Sequence, residues 1–311
     1  MKVVSRAGND RLAMVYIAEV ESGGFIEFVE SVQPPLSRTE KWVLIISTSL
    51  GCRVGCRFCD AGGYYKRTLT EKEIFSQIDY LVKRRFPENV IPVKKFKIQF
   101  ARMGEPSFNY EVLKVLRRLR VIYDVPGLLP CISTIAPVGS EEFFARLFEI
   151  KKEFYPENFQ LQFSIHTTDE ELRDWLIPFK KWSLSEIGRY GSKFYNKGSR
   201  KITLNFALGD TFPVDPEVLL KYFEPDKFLL KITPVNPTFR ALRNNLGSSF
   251  EKLARRVELL RQSGYETLLS IGELEENLIG SNCGQYVTRY KNRALCDAYT
   301  YELEEINPDS S

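Results

Sequence analysis

One histidine, His166, stands in the 311 residues of this chain. A structural zinc site takes four protein ligands, so with imidazole this scarce nearly all of them would have to be cysteines. A membrane-length apolar run, of about 20 residues, is also missing. The start of the chain, Met1 to Arg6, lacks the apolar stretch of a secretory signal. The expected location is therefore cytoplasmic, where thiols stay reduced and serve metal or redox chemistry rather than disulfides. Internal repeats and low-complexity tracts are absent too. Positive charge exceeds negative by only +4, which permits an RNA partner without requiring one.

Apolar material is ample: 43% of the residues are hydrophobic, enough for one large α/β domain or a domain with small appendages. Residues 1–40 read as a β-hairpin extension. Leu12 to Val20 is strand-like, Ser22-Gly23-Gly24 is a turn, and Phe25 to Val32 alternates apolar and polar residues. Pro34-Pro35 ends the hairpin. From Trp42, strands and helices alternate. Strands are expected at Trp42–Ser49, Val93–Ala101, Cys131–Ile135, Phe159–His166, Arg200–Phe206, Phe228–Pro234 and finally Tyr265–Ile271. Between them, Thr70 and Glu73 form a capping box that opens a helix through Phe86. Further helices are expected at 109–122, from Ser140 to about Phe154, from about Asp169, from about Ser185, at Pro216–Phe223 and at Ser248–Gln262. Six βα units imply a parallel sheet with covering helices, an α/β partial (β/α)6 barrel over residues 41–272. Residues 273–311 are left as a loop and extension able to close the barrel mouth. In such sheets ligands sit at the carboxyl ends of the strands.

The strongest local signal is Cys52-Arg53-Val54-Gly55-Cys56-Arg57-Phe58-Cys59, three cysteines at C-x-x-x-C-x-x-C spacing just after the Trp42–Ser49 strand. Thiolates are the usual ligands of iron–sulfur clusters, and four irons need four ligands. Three local cysteines leave one iron open to a small molecule. That is what a cluster needs if it is to chelate S-adenosylmethionine (SAM) by its methionine end and reduce it. The remaining cysteines are Cys131, Cys283 and Cys296.

Other chemistry-bearing residues fall on strand ends. Met103-Gly104-Glu105-Pro106 follows the second strand; its glycine admits close backbone approach, and its carboxylate and carbonyls suit an ammonium group. Ser133 ends the third strand. Ser164 and His166 end the fourth and offer hydroxyl and imidazole groups for ribose or carboxylate. Asn236, in Pro234-Val235-Asn236-Pro237, offers an amide to an adenine edge or ribose. Gly280-Ser281-Asn282-Cys283-Gly284-Gln285-Tyr286 lies past the last strand, on a loop able to return across the barrel mouth. The basic stretches Lys83-Arg84-Arg85, Arg117-Arg118, Lys180-Lys181 and Arg255-Arg256 read by default as solvated helix faces.

Taken together, from about Val15 to Tyr286, these residues resemble the radical SAM superfamily, and within it the RlmN and Cfr ribosomal RNA adenine-C2 methyltransferases. The resemblance rests on the cysteine loop, Met103 to Pro106, Ile132-Ser133-Thr134, Ser164 to His166 followed by Asp169 to Asp174, Pro234 to Pro237, and above all Cys283-Gly284-Gln285. It implies a [4Fe–4S] cluster on Cys52, Cys56 and Cys59, and SAM held by Gly104, Glu105, Ser133, Ser164, His166 and Asn236. It also implies two uses of SAM. One molecule methylates Cys283; a second is cleaved at the cluster, and its 5′-deoxyadenosyl radical takes hydrogen from the S-methyl group. The methylene radical then adds to an sp² carbon. A flavodoxin-like one-electron reductant is implied as a partner.

The chain departs from the family in two ways. The family's second cysteine, which resolves the thioether adduct, falls at Ile45, so that Cys131, Cys296 or another route has to replace it. An acidic base of the family falls on Glu27, with Glu30 as second choice. The family's N-terminal helical RNA-binding domain has no counterpart before the hairpin. The expected substrate is accordingly RNA or a smaller aromatic molecule. The alternative activity is a radical SAM reaction that abstracts hydrogen without methylating.

Overall fold

A computed structural model of the chain describes residues 1–88, 90–123, 125–281, 285–287 and 300–306. Seven strands run parallel in the order of the chain: β4 (Trp42–Ile46), β7 (Phe96–Phe100), β8 (Leu128–Thr134), β9 (Gln160–Ser164), β10 (Ile202–Leu208), β11 (Phe228–Pro234) and β12 (Thr267–Leu269). On the other side of β4 the same sheet continues antiparallel through β3 (Phe25–Ser31), β2 (Ala13–Glu19), β1 (Lys2–Asn9) and β13 (Glu304–Glu305). The expected hairpin is thus one part of an antiparallel meander in a single 11-stranded sheet. β1 went unread because Lys2, Arg6 and Gly8 break up its apolar pattern. A separate ribbon, β5 (Ser49–Gly51) with β6 (Tyr65–Thr68), projects from the end of β4.

The helices are α1 (Glu71–Arg85), α2 (Glu111–Ile122), α3 (Glu141–Phe154), α4 (Glu170–Leu176), α5 (Leu184–Phe194), α6 (Pro216–Tyr222), α7 (Phe239–Arg243), α8 (Phe250–Gln262) and α9 (Leu274–Ile279). α1 starts where the capping box puts it: the Thr70 hydroxyl accepts from Glu73 N–H, and the Glu73 carboxylate accepts from Thr70 N–H. α7 and α9, five and six residues long, had too little periodicity to be read. Among the described residues no helix is long and apolar enough to cross a membrane.

Strand alternation gives the sheet two unlike faces. Phe96, Ile98 and Phe100 of β7 are fully buried on the face toward the helices, as are Trp42, Leu44 and Ile46 of β4. On the antiparallel part, Tyr80 of α1 meets Tyr16 and Phe28 edge-on. The opposite face is richer in polar side chains. Register aligns Lys97 and Gln99 of β7, Cys131 and Ser133 of β8, Gln162 and Ser164 of β9, Asn205 of β10 and Lys231 of β11 on it. Side chains on this face supply hydrogen-bonding groups at the carboxyl ends of the parallel strands, where ligands of such sheets sit.

Candidate functional site

The cysteine loop, residues 52–64, is the tip of the β5–β6 ribbon. Its base is closed by Cys52 N–H donating to the Tyr64 carbonyl at 2.9 Å. Its far side is tied to the segment after β11. Asp60 accepts the N–H groups of Phe239 and Arg240 at 3.0 and 2.9 Å. Thr238 donates its hydroxyl to the Phe58 carbonyl, Arg240 donates to the Gly55 carbonyl, and Asn244 donates to the Arg57 carbonyl. Arg57 N–H reaches the Leu176 carbonyl at the end of α4, and Arg53 lies 3.6 Å above the Phe108 ring. Loop backbone carbonyls have no strand or helix partner, so these donors do what secondary structure would otherwise do.

Cys52, Cys56 and Cys59 are all half-buried. The N–H groups of Val54, Gly55 and Gly104 face the Cys52 sulfur and favour its thiolate, but burial outweighs them and pushes the thiol up to about 11. Burial likewise raises Cys56 well above the ordinary range, with Cys59, Cys52 and Glu105 adding to the rise. A cationic centre beside these sulfurs would reverse the sign of that repulsion. Among the described residues no three His, Cys, Asp or Glu side chains are close enough to hold a single metal ion. Thiols that raise one another's pKa, with backbone N–H groups facing sulfur, are the donor chemistry that an iron–sulfur cluster uses.

Met103 to Pro106 forms a turn against this loop. The Met103 carbonyl accepts from Thr48 and Ser49 N–H at 2.7 and 3.1 Å. Gly104 has φ +102°, and a Cβ there would lie 2.1 Å from the Ser49 hydroxyl, so glycine is obligatory on both counts. Glu105 is buried. Its Oε1 accepts from Ser107 N–H, the Ser107 hydroxyl and, at 2.5 Å, the Thr134 hydroxyl. Its Oε2 accepts from Ile135 N–H at 2.9 Å. Burial raises its pKa, and these donors oppose the rise. With one donor on Oε2, that oxygen retains acceptor capacity.

Ser133 is half-buried on the polar face and accepts from Gln99 Nε2 at 3.2 Å. Ser164 is half-buried at the end of β9. His166 adopts φ +68°, which carries the chain away from the strand. Its ring lies 4.7 Å from that of Phe58, edge to face. Ala207 N–H donates to His166 Nδ1 at 2.9 Å, so the proton of the neutral ring is on Nε2. Burial holds the imidazole at about 3, with Arg173 lowering it further. Asn236 is half-buried in the turn that leads to α7.

Glu27 and Glu30, three residues apart on β3, point to opposite faces of the sheet. Glu30 accepts from Trp42 Nε1, the Tyr16 hydroxyl and Arg85 on the helix side. Glu27 is on the polar face and meets Arg102 at 2.6 Å. Its Oε2 accepts from Val287 N–H at 3.0 Å. Burial raises its pKa, against Arg102 and the N–H groups of Val287 and Tyr286. Cys283, Gly284 and Cys296 lie outside the described residues. Ile45 lies between Val29 and Gln99 in register, and Cys131 lies on the far side of Gln99. Two strand spacings, about 10 Å, thus separate the fully buried Cys131 from Ile45.

Sequence reasoning missed Asp60, Thr238, Arg240 and Asn244, which hold the cysteine loop, and Arg102. Asp60 directly follows Cys59, a signal that could have flagged it. The basic stretches are largely used inside the chain: Lys83 pairs with Asp79, Arg85 with Glu30, Arg118 with Glu71, Lys181 with Asp174 and Arg255 with Glu251.

Residues 46–187 match the model of the Radical SAM superfamily. A protein of Pseudothermotoga lettingae named "Probable dual-specificity RNA methyltransferase RlmN" is 28% identical over 284 residues, which cover 87% of this chain and 74% of that protein. The "Ribosomal RNA large subunit methyltransferase N" of Nitrosopumilus maritimus is 26% identical, covering 92% and 79%. Among solved structures, a radical SAM methyltransferase from Sphaerobacter thermophilus superposes with a TM-score of 0.71 at 23% identity, covering 91% of this chain and 80% of that one.

Proposed function

The chain belongs to the radical SAM superfamily, in its RlmN-like methyltransferase branch, and from that premise we propose that it methylates an sp² carbon through a methyl group carried on Cys283. RNA is the favoured substrate class, because the relatives are named as RNA methyltransferases; a smaller aromatic molecule is the second reading, since Ile45 stands where the family has its resolving thiol. The carrying observation is the cysteine loop. Cys52, Cys56 and Cys59 are half-buried, and their loop is held by donors and acceptors that join it to the segment after β11.

A [4Fe–4S] cluster with SAM supplies one-electron cleavage and a carbon radical able to take hydrogen from an unreactive C–H bond. Cys52, Cys56 and Cys59 would hold the cluster. Gly104 gives its backbone close access to SAM, and Glu105 Oε2 has acceptor capacity for the ammonium group. Ser133, Ser164 and Asn236 offer polar groups to the rest of the molecule. His166, neutral at physiological pH, presents an Nε2–H donor rather than a charge. Thiolate is the competent form of Cys283 for accepting a methyl group. An external one-electron donor, flavodoxin-like by the family resemblance, completes the set.

The test is product analysis. Protein reconstituted with iron and sulfide under argon is given a reductant, SAM bearing a deuterated methyl group, and RNA from cells lacking this protein. Digestion to nucleosides and mass spectrometry should find a methylated base. Turnover of SAM to 5′-deoxyadenosine with no methylated base would favour the non-methylating alternative.

A further inference from the structure

We propose that Arg102 and Glu27 form a buried clamp that positions the segment carrying Cys283, with Glu27 acting as a positioning residue rather than a base. The inference rests on the methyl-carrier reading for what that segment does. Its geometry stands independently. Arg102 donates from Nη1 to the Ser281 carbonyl at 2.8 Å and from Nη2 to the Gly280 carbonyl at 2.9 Å. Arg102 Nη2 also lies 2.6 Å from Glu27 Oε1, and the two side chains are 1% and 0% exposed. Glu27 Oε2 takes Val287 N–H at 3.0 Å. One ion pair therefore grips the chain just before and just after residues 282–284.

Both halves of the clamp are rooted in the sheet. Arg102 follows β7 and stands two residues before Gly104. The Glu27 backbone is held on both sides: its N–H reaches Met103 Sδ at 3.3 Å, and its carbonyl accepts the Ser47 hydroxyl. The clamp thus fixes Gly280, Ser281 and Val287 relative to the turn proposed to seat SAM. Thermodynamics points to position rather than stability as its use. Burying two charges costs about as much as their attraction returns, and an apolar pair of similar volume often does as well. An apolar pair cannot read two successive carbonyls, whereas a planar guanidinium fork can. A proton acceptor for substrate also has to be reached, and Glu27 is fully buried, with Arg102 against Oε1 and Val287 N–H on Oε2.

Hydrogen–deuterium exchange and thiol labelling of the full chain test this without calling on catalysis. Arg102→Lys keeps the charge and loses the fork. Exchange in the peptide over residues 280–287 should rise about tenfold or more, the size of one lost charge-assisted hydrogen bond. Alkylation of Cys283 by iodoacetamide should speed up, while exchange in β9 and β10 stays unchanged. A second variant, Glu27→Leu with Arg102→Met, guards against misfolding in the first. It should match the unaltered protein in thermal stability and still show the loosened 280–287 peptide, separating position from stability. Unchanged exchange and alkylation in either folded variant would overturn the clamp. A failure of Cys283 to accept a methyl group would instead defeat the methyl-carrier reading, and neither readout depends on that group.

Discussion

Asp60 Oδ1 accepts the backbone N–H of Arg240 at 2.9 Å, and Oδ2 that of Phe239 at 3.0 Å. The carboxylate next to Cys59 therefore caps the start of α7, 180 residues along the chain. Capping bonds of this kind contribute about 0.5–2 kcal/mol each. Here that energy holds the cysteine loop against the Asn236 turn, so that the three cysteines and the turn proposed to face SAM share one support.

Asp60→Ala should consequently lower the iron and acid-labile sulfide retained per chain after anaerobic reconstitution. Asp60→Asn, which keeps one acceptor oxygen, should fall between the unaltered protein and Asp60→Ala. Cys56→Ala should retain least. Equal iron content in the unaltered protein, Asp60→Ala and Asp60→Asn, with Cys56→Ala still lower, would show that the loop needs no such tether.

The single histidine makes a clean titration. Burial holds His166 at about 3 against an ordinary 6.5. A base whose folded pKa is depressed binds its proton more readily when the chain is unfolded. Its contribution to stability is therefore full above pH 6.5 and is lost as the pH falls from 6.5 toward 3. Imidazole resonances should show no titration from pH 8 down to about 5, where an exposed histidine would pass through its midpoint. A midpoint near 6.5 would place His166 in solvent and contradict the hydrogen bond from Ala207.

Glu73 gives a second pH signature, at the far end of the β5–β6 ribbon. Burial alone would raise its pKa; Arg67, Thr70 N–H and the Ser22 hydroxyl more than offset this and hold it at about 2, against an ordinary 4.5. Its stabilisation is complete above pH 4.5 and is lost as the pH falls toward 2. Glu73→Gln should therefore lower the melting temperature at pH 7 by several degrees and make a smaller difference at pH 3. The expected shift corresponds to about 1–2 kcal/mol for a partly buried, bidentate pair. An equal shift at both pH values would remove the charge from the explanation.

Much of this was legible in one dimension. The βα order could be read because each parallel strand is a short apolar run bounded by helix caps, and Thr70 with Glu73 is a local signal that needs no tertiary partner. The placement of the candidate residues was legible for the same reason: topology alone sends Met103 to Pro106, Ser133, Ser164 and Asn236 toward one edge of the parallel strands. The tethers were not legible. Asp60 finds Arg240 across 180 residues and Glu27 finds Val287 across 260, and no periodicity links such partners. The choice between Glu27 and Glu30 needed register as well, because two acidic residues on one strand look alike until the sheet assigns each a face.

Peptide mass spectrometry of Cys283 tests the central claim most directly. The protein would be reconstituted with iron and sulfide under argon, its cluster verified by iron content and absorbance, and then incubated with SAM and reductant. A methyl group on Cys283, absent from Cys131, is the predicted result. Unmodified Cys283 in a protein with an intact cluster would contradict the account and leave a radical enzyme that does not carry methyl groups on this residue.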